Sequence, residues 1–352
     1  MSIGELISLY KDQEIDVHPE FQRVFRWDAY QKTRLIESIL LNIPIPQIFV
    51  SQREDGVWDV IDGLQRLSTI FEFVGIYREI DGEPSKPFVL QKTDYLPSLE
   101  GVMWNNEEEP AKSFTTAQKI NFKRQRMDVV IVKKESDENS KYELFRRLNT
   151  GGTNLTAQEV RNCVMIMINS EFYNFVSSLV RNQDFIDCIP ISDRKSDEQY
   201  RMELLLKLLI ADTMDLSCVK LYDDLTTLLD CETEKLCKAK SLDKDGIRKR
   251  FVKTFELLNR LKGDDCFKGR ERGKAKGPFL SSAYQAIATG VFHHMENLLA
   301  LTNEEVDDFI NEKIDDFYTS AEFEKIRARG IRSLERFEVM SEYGMKYFKY
   351  ER

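Results

Sequence analysis

Residues 57–69 read V-W-D-V-I-D-G-L-Q-R-L-S-T, and this stretch decides the fold of the first half of the chain. Residues 57–61 are mostly β-branched or aromatic, which favours a largely buried strand. Asp62-Gly63 has the composition of a tight turn. The apolar residues that follow recur at the i, i+3, i+4 and i+7 spacing of one helix face, namely Leu67, Ile70, Phe71 and Val74. The stretch therefore predicts a strand, a glycine turn and a helix that begins at once.

This arrangement directs backbone N–H groups and the positive end of a helix dipole toward one point, which attracts anions and phosphate above all. Arg66 in the first turn can clamp a phosphate, Gln65 offers an amide, and Asp62 offers a carboxylate for a metal ion or a sugar hydroxyl. We interpret Asp62, Gln65 and Arg66 as candidate catalytic residues and Asp62 as the candidate metal ligand. The alternative is that Asp62 caps the helix, Gly63 supplies a positive φ angle, and the other two side chains are solvated.

Composition narrows the class of protein. The 352 residues are 42% hydrophobic and suit two packed subdomains, and the net charge of −9 argues against extensive coating of nucleic acid. No apolar run reaches about 18 residues, and the chain starts without a signal-peptide pattern, so we expect a cytoplasmic protein with no membrane contact. The six cysteines form no C-x-x-C pair, and the three histidines lie in no recognisable catalytic string.

The segments before the central stretch contribute a further candidate. Residues 19–27, P-E-F-Q-R-V-F-R-W, place Arg23 among aromatic side chains, which is one way to present a rigid phosphate ligand. The alternative is that the aromatic residues only anchor a loop. Asp28 and Gln31 predict a capping box and a helix that ends before Pro44, followed by a strand over 47–52 and a hairpin turn over 54–56.

The segments after the central stretch are less regular. We predict short strands over 88–90 and 102–104, a helix from Thr116, and a strand over 127–132. A helix over 142–148 is predicted to end in the glycine-rich loop Asn149-Thr150-Gly151-Gly152, where backbone can approach a ligand closely. Thr156 and Glu159 form a second capping box, at the start of a helix that includes Arg161.

Four motifs in this order resemble a known family: F-Q-R, P-I-P-Q-I-F, I-D-G-L-Q-R-L-S-T and F-R-R-L-N-T-G-G-T-N-L-T-A-Q-E-V-R-N. Together they resemble the N-terminal domain of GmrSD-type restriction proteins, which also occurs in SspE-type effectors of phosphorothioation-dependent phage defence. The resemblance implies an α/β fold similar to ParB and sulfiredoxin that binds and hydrolyses nucleoside triphosphates. The family's D-G-Q-Q-R motif falls on residues 62–66, where Leu64 replaces the usual second glutamine.

The resemblance also implies a set of ligand residues. A nucleoside triphosphate would be held by Arg23, Gly63, Arg66, Asn149, Gly152 and Arg161, with Mg²⁺ on Asp62. Leu64 can neither donate nor accept a hydrogen bond, so the sequence leaves open whether hydrolysis is retained with binding. Because arginine and alanine are both good helix formers, we expect Arg66→Ala to remove the clamp and leave the unliganded stability almost unchanged.

The second half reads as a mostly α-helical domain. We predict a ParB/sulfiredoxin-like α/β domain over 1–165 and a helical domain over 166–352, with a helix over 323–347 and a capping box at Thr302 and Glu305. Residues 268–276 form a predicted glycine-containing loop with five positive charges and one negative charge, net +4. The candidate DNA contacts there are Lys268, Arg270, Arg272, Lys274 and Lys276, although such charge runs are often only solvated faces.

The sequence therefore favours an NTP-binding protein of prokaryotic restriction or anti-phage defence type that senses or regulates action on foreign or modified DNA. It is expected to act as a Mg²⁺-dependent nucleoside triphosphatase rather than as a nuclease, because residues 295–352 contain no histidine for an HNH centre. The expected partners are a nucleoside triphosphate, DNA, and a separate nuclease or defence subunit. The alternative is a non-enzymatic DNA-binding or adaptor module on the same scaffold.

Overall fold

The computed structural model describes residues 1–17, 27–53, 55–79, 82–86, 88–132, 156–191, 199–271, 274–328 and 330–350. For residues 61, 132 and 325–328 the description covers the backbone only. The chain divides into two compact units, Met1–Leu155 and Thr156–Arg352. Several predictions fall outside the described residues: the turn residue Glu54, the helix over 142–148, and the candidate ligands Arg23, Asn149, Gly152 and Arg272.

The first unit combines helices with a small sheet, as predicted for an α/β domain. Its described elements are, in chain order, α1 (Ile3–Lys11), β1 (Ile15–Asp16), α2 (Ala29–Leu40), β2 (Ile48–Gln52), β3 (Trp58–Asp62), α3 (Leu64–Val74), α4 (Thr116–Arg124) and β4 (Val129–Val132). Short 3₁₀ turns at Pro97–Leu99 and Pro110–Lys112 interrupt the long connection between α3 and α4.

The sheet is mixed, with the strand order β1-β3-β2-β4. Strands β2 and β3 form the predicted antiparallel hairpin, in which Val50 is paired with Val60. Strand β1 runs parallel to β3, and β4 runs parallel to β2. Ile48, Val50 and Val60 are almost fully buried in the core. Because side chains alternate across a strand, Asp59 and Ser51 belong to the opposite face of the sheet.

Helix α3 is held in the core by an aromatic cluster. Phe73 makes edge-on contacts with four rings, which are those of Phe88, Trp104, Phe114 and Phe122. Phe88 and Trp104 lie in the two stretches for which the sequence predicts strands, 88–90 and 102–104, and that prediction is wrong. The Leu90 N–H donates to the Val102 carbonyl, and Met103 makes an isolated bridge with Ser113, but neither stretch forms a strand. Aromatic packing rather than strand pairing orders this segment.

The second unit is mainly helical, as predicted. Its described elements are α5 (Ala157–Val180), α6 (Gln183–Cys188), α7 (Tyr200–Thr213), α8 (Leu225–Lys238), α9 (Lys244–Lys262), β5 (Lys268–Glu271), β6 (Lys274–Phe279), α10 (Ser281–Leu298), α11 (Asn303–Phe317), α12 (Ala321–Ala328) and α13 (Ser333–Tyr347). The predicted capping boxes at Thr156 and Thr302 are both present. The prediction of a single helix over 323–347 is wrong, because α12 and α13 are separate helices.

Helix α5 lies at the boundary between the predicted domains. The predicted division between residues 165 and 166 falls inside α5, whereas the compact units divide before it, between Leu155 and Thr156. Among the described residues, α5 is also the one helix long and apolar enough to span a membrane, and 50% of its apolar window is buried inside the protein. A helix in the core of a protein can be equally long and apolar. In this case Arg161, Gln158 and Asn162 are buried within the unit together with the apolar residues.

Candidate functional site

The predicted strand, glycine turn and helix are present at the expected residues. Strand β3 ends at Asp62, Gly63 is the N-cap of α3 with φ of 95°, and Leu64 is the first helical residue. The backbone of Gly63 also lies close to the Ile48 side chain, because a Cβ atom added to Gly63 would lie 2.3 Å from Cδ1 of Ile48 on β2. Only glycine fits both the backbone conformation and the space at this position.

Asp62 and Arg66 form an ion pair across this turn. The Arg66 guanidinium donates through Nη2 to Oδ2 of Asp62 at 2.7 Å and through Nη1 to the carbonyl of Pro46 at 2.9 Å. The Arg66 side chain is 10% exposed and that of Asp62 is 25% exposed. The structure therefore brings together two of the candidate residues, and it adds the Pro46 carbonyl, which the sequence did not single out. Arg66 is not the solvated side chain of the alternative interpretation.

Gln65 and Leu64 have different surroundings. The Gln65 side-chain oxygen accepts a hydrogen bond from the Trp27 backbone N–H at 3.4 Å, so the residue that follows segment 18–26 lies beside the motif. Leu64 is partly buried and packs against the hydrophobic core of the first unit. At the position where the related motif carries glutamine, this chain therefore has a packing residue.

The N-terminus of α3 differs from the other described helix starts of the first unit. Helices α1, α2 and α4 each begin with a complete capping box, built on Ser2, Asp28 and Thr115. Gly63 has no side chain and makes no such bond, so α3 begins without a side-chain N-cap. The first-turn N–H groups of a helix have no partner within the helix itself and are suited to binding an anion.

A second polar cluster lies next to this strand. Arg53 donates through Nε to Asp59 on β3 at 2.6 Å and through Nη2 to Asp16 on β1, also at 2.6 Å. The hydrogen bond to Asp59, which is 6% exposed, raises the pKa of the Arg53 guanidinium above its ordinary value. Sequence reasoning missed this cluster, although the polar Asp59 within an apolar strand is the signal that could have indicated it. The cluster ties β1 and β3 to the end of β2.

Arg161 has contacts that explain its burial without a ligand. It lies in α5, in the second unit, and is 2% exposed. Its Nε donates to Asp230 of α8 at 2.9 Å, and its Nη1 contacts the side-chain oxygen of Gln158. These contacts place Arg161 in the packing between α5 and α8, and its role as a nucleotide ligand stays a prediction.

The basic stretch over 268–276 is not the loop that the sequence predicts. Strands β5 and β6 form an antiparallel hairpin, in which Glu271 is paired with Lys274. Lys268 forms ion pairs with Asp264 and Asp265, and Lys276 forms one with Glu271. Arg270 donates to the backbone carbonyls of Asp265 and Lys268 and stacks on Tyr318. Three of the cations of the hairpin, Lys268, Arg270 and Lys276, therefore already have partners within the protein.

The described residues contain no group of three or more His, Cys, Asp or Glu side chains that could hold a metal ion. The adjacent histidines have separate contacts. His293 Nδ1 lies 2.9 Å from Oδ1 of Asp212, and His294 Nε2 lies 2.6 Å from the carbonyl of Met345. Asp62 is the one carboxylate among residues 62–66.

Residues 3–166 match the family described as GmrSD restriction endonuclease, N-terminal domain. Searches of curated proteins and of solved structures found no match to the chain. The matched segment contains all of the described strands of the first unit, the turn at Gly63 and the first residues of α5. It also contains the four motifs from which the resemblance was inferred, so that resemblance is confirmed. Residues 3–166 of this chain are therefore similar to the N-terminal domain of GmrSD restriction endonucleases.

Proposed function

We propose that the first unit binds a nucleoside triphosphate with Mg²⁺ at the turn formed by residues 62–66, as part of a protein of restriction or anti-phage defence. In this proposal the domain has a ParB-like architecture, and its nucleotide state reports contact with foreign or modified DNA to a separate nuclease or defence subunit. The match of residues 3–166 to a restriction endonuclease family supports the general role. The geometry of the turn supports the nucleotide site.

The observation that carries the proposal is the uncapped start of α3. Three other described helices of this unit begin with capping boxes, whereas α3 begins at a glycine without a side-chain cap. Asp62 and Arg66 flank this helix end, and their ion pair holds both side chains in place. Backbone donors, a helix dipole and an ordered guanidinium at one position favour a phosphate group over other ligands.

Each candidate side chain retains capacity for a ligand. Arg66 has five N–H donors, of which two are used by Asp62 and Pro46. Asp62 uses Oδ2 for Arg66, which leaves Oδ1 for a magnesium ion. Magnesium is commonly bound by one or two carboxylates together with substrate phosphates and water, so a single aspartate fits this role. Bound magnesium would neutralise phosphate charge and orient the terminal phosphate.

Hydrolysis is the separate part of the proposal. Leu64 packs on the core and offers no hydrogen bond to orient an attacking water, so we expect turnover to be slow compared with a motif that carries glutamine. Arg23, Asn149 and Gly152 complete the proposed site, but they lie outside the described residues. Gln65 contacts Trp27 and connects the motif to the segment that contains Arg23.

The test is a thermal-shift titration with each of the four NTPs and Mg²⁺, combined with a phosphate-release assay with and without DNA. The expected result is a nucleotide-dependent rise in Tm that Asp62→Asn and Arg66→Lys reduce and that Lys86→Gln, on the exposed surface of the same unit, leaves unchanged. Leu64→Gln is expected to raise the phosphate-release rate. No Tm shift with any NTP would contradict the proposal and favour a DNA-binding or adaptor module without nucleotide.

A further inference from the structure

A dense run of positive charge in the described part of the first unit lies on α4 and the residues around it, and of its lysines Lys112 forms an ion pair with Glu109. Residues 112–126 contain five cations and no aspartate or glutamate, whereas the whole chain has a net charge of −9. The cations are Lys112, Lys119, Lys123, Arg124 and Arg126. Such a local excess of one sign concentrates counter-ions of the other sign at the surface.

The last three of these cations line one groove. The groove has a volume of about 700 Å³ and lies between the start of α1 and the C-terminal half of α4. Its walls are joined by backbone hydrogen bonds, from the Ile3 N–H to the Gln125 carbonyl at 2.8 Å and from the Met127 N–H to the Met1 carbonyl at 2.9 Å. The groove is therefore held in shape by the fold itself.

The side chains in this basic groove are available for a ligand. Lys123, Arg124 and Arg126 are exposed, the Arg126 guanidinium interacts electrostatically with the Glu5 carboxylate, and the Lys123 ammonium lies over the Trp104 ring. The groove contains one carboxylate, that of Glu5, which accepts the Ser2 N–H at 2.5 Å in the capping box of α1. These contacts contrast with the β5–β6 hairpin, where Lys268 and Lys276 are paired with carboxylates.

The arrangement is extended rather than a single pocket. Lys119 and Lys123 are four residues apart on α4, and so are Ile120 and Arg124, which places the members of each pair about 6 Å apart along the helix. Arg126 continues the row beyond the end of α4. A row of cations matches a polyanion with regularly spaced charges. A protein partner would need about 800 Å² of complementary surface, whereas the apolar contribution of α4 to the groove is Ile120.

We propose that this basic groove binds the phosphate backbone of double-stranded DNA, without reading base sequence. The contacts are charge-assisted hydrogen bonds from Lys123, Arg124 and Arg126 to phosphate oxygens. Such contacts position a duplex and carry no sequence information, so selectivity for foreign or modified DNA would come from another part of the protein. The proposal does not depend on nucleotide binding at residues 62–66.

The test measures the salt dependence of duplex binding by fluorescence anisotropy between 50 and 200 mM salt, about the range in which phosphate contacts change affinity most clearly. The variant Lys123→Gln/Arg124→Gln/Arg126→Gln keeps good helix formers in α4 and should fold, which circular dichroism and Tm would check. For this variant, the slope of the logarithm of the binding constant against the logarithm of the salt concentration should be smaller in magnitude by about 2.7. Each lost phosphate contact lowers that slope by about 0.9.

The matched control is Lys11→Gln/Lys86→Gln/Lys92→Gln, which removes the same charge from exposed positions of the same unit outside the groove and should leave the slope unchanged. NTP-induced Tm shifts should be the same in wild type and both variants, which separates this result from the nucleotide proposal. Equal slopes for wild type and the groove variant would overturn the inference, as would absent duplex binding at the lowest salt. Tighter binding of single-stranded RNA or of polyglutamate than of the duplex would assign the groove to those ligands instead.

Discussion

Gly63 is the residue on which the strand-to-helix turn depends. Its φ of 95° lies in the left-handed region, and an added Cβ atom would approach Ile48 to 2.3 Å. Gly75, at the other end of α3, also has a positive φ of 78°, but an added Cβ atom there would meet nothing within 4 Å. Alanine substitutions at these two glycines therefore separate the free-energy cost of left-handed backbone strain from the cost of a steric clash.

We expect Gly63→Ala to lower the free energy of unfolding by about 2–4 kcal/mol, from left-handed strain together with overpacking against β2. Gly75→Ala should cost only the strain, about 1–2 kcal/mol. Urea denaturation of the two variants measures the difference. If both variants lose the same stability, the close approach of Gly63 to Ile48 has no energetic consequence.

Arg66 is buried, and this changes the expectation from sequence that Arg66→Ala would leave stability untouched. The substitution leaves the Asp62 carboxylate and the Pro46 carbonyl without their donor. We expect a loss of about 2–4 kcal/mol, because removing one partner of a largely buried pair costs more than the pair contributes. Arg124→Ala, at an exposed arginine of α4, should change stability by no more than about 0.5 kcal/mol. Chemical denaturation would check both, and equal stability of Arg66→Ala and wild type would restore the original expectation.

At the scale of elements, helices α10 and α13 cross at very close range. A Cβ atom on Gly344 would lie 2.0 Å from the Ala286 carbonyl oxygen, and one on Gly290 would lie 2.3 Å from the Gly344 carbonyl oxygen. Backbone contacts backbone at this crossing, so no flexible side chain can move aside.

Gly344→Ala should therefore separate the two helices and destabilise the second unit by about 1–3 kcal/mol or more. The control is Gly330→Ala, where an added Cβ atom meets nothing within 4 Å. Thermal unfolding followed by circular dichroism compares the two. A Tm of Gly344→Ala equal to that of Gly330→Ala would show that the helices can adjust without cost.

The β5–β6 hairpin shows how pairing between strands changes the meaning of a charge run. In the sequence, residues 268–276 read as a basic loop with one glutamate. In the folded chain, Glu271 lies opposite Lys274 and forms an ion pair with Lys276. Asp264 and Asp265, which precede the hairpin, form ion pairs with Lys268. Local charge density therefore overestimates the charge that is free to bind a partner.

At the scale of the whole molecule, the two units divide before α5, and the first turns of α5 pack inside the second unit. Residues 156–165 contribute the capping box at Thr156, the ion pair of Arg161 with Asp230, and buried apolar side chains such as Val164 and Met165. A division at residue 165 would remove all of these from the helical unit.

We therefore expect a fragment of residues 156–352 to have a clearly higher Tm than a fragment of residues 166–352, in which Asp230 loses its partner. Circular dichroism with thermal denaturation of the two fragments measures this. Equal Tm values would indicate that the start of α5 adds no stability and would favour the division near residue 165 that the sequence predicts.

The sequence by itself determined the local features of this protein. The strand predicted at 57–61 and found at 58–62, the glycine turn, the amphipathic α3, the capping boxes at Asp28, Thr156 and Thr302, and the family resemblance of the first half all follow from short-range patterns. Such features depend on residues a few positions apart, where periodicity, cap chemistry and glycine conformation act directly.

Only the tertiary structure decided which charges are free. Arg66 is held by Pro46 from twenty residues away, Arg161 by Asp230 of another helix, and Arg53 by Asp16 and Asp59 from two strands. The groove beside α4 likewise forms only because the start of α1 pairs with residues 125–127. Partners distant in sequence leave no local pattern, so the pairing of each arginine, and with it the position of the candidate sites, depends on the folded chain.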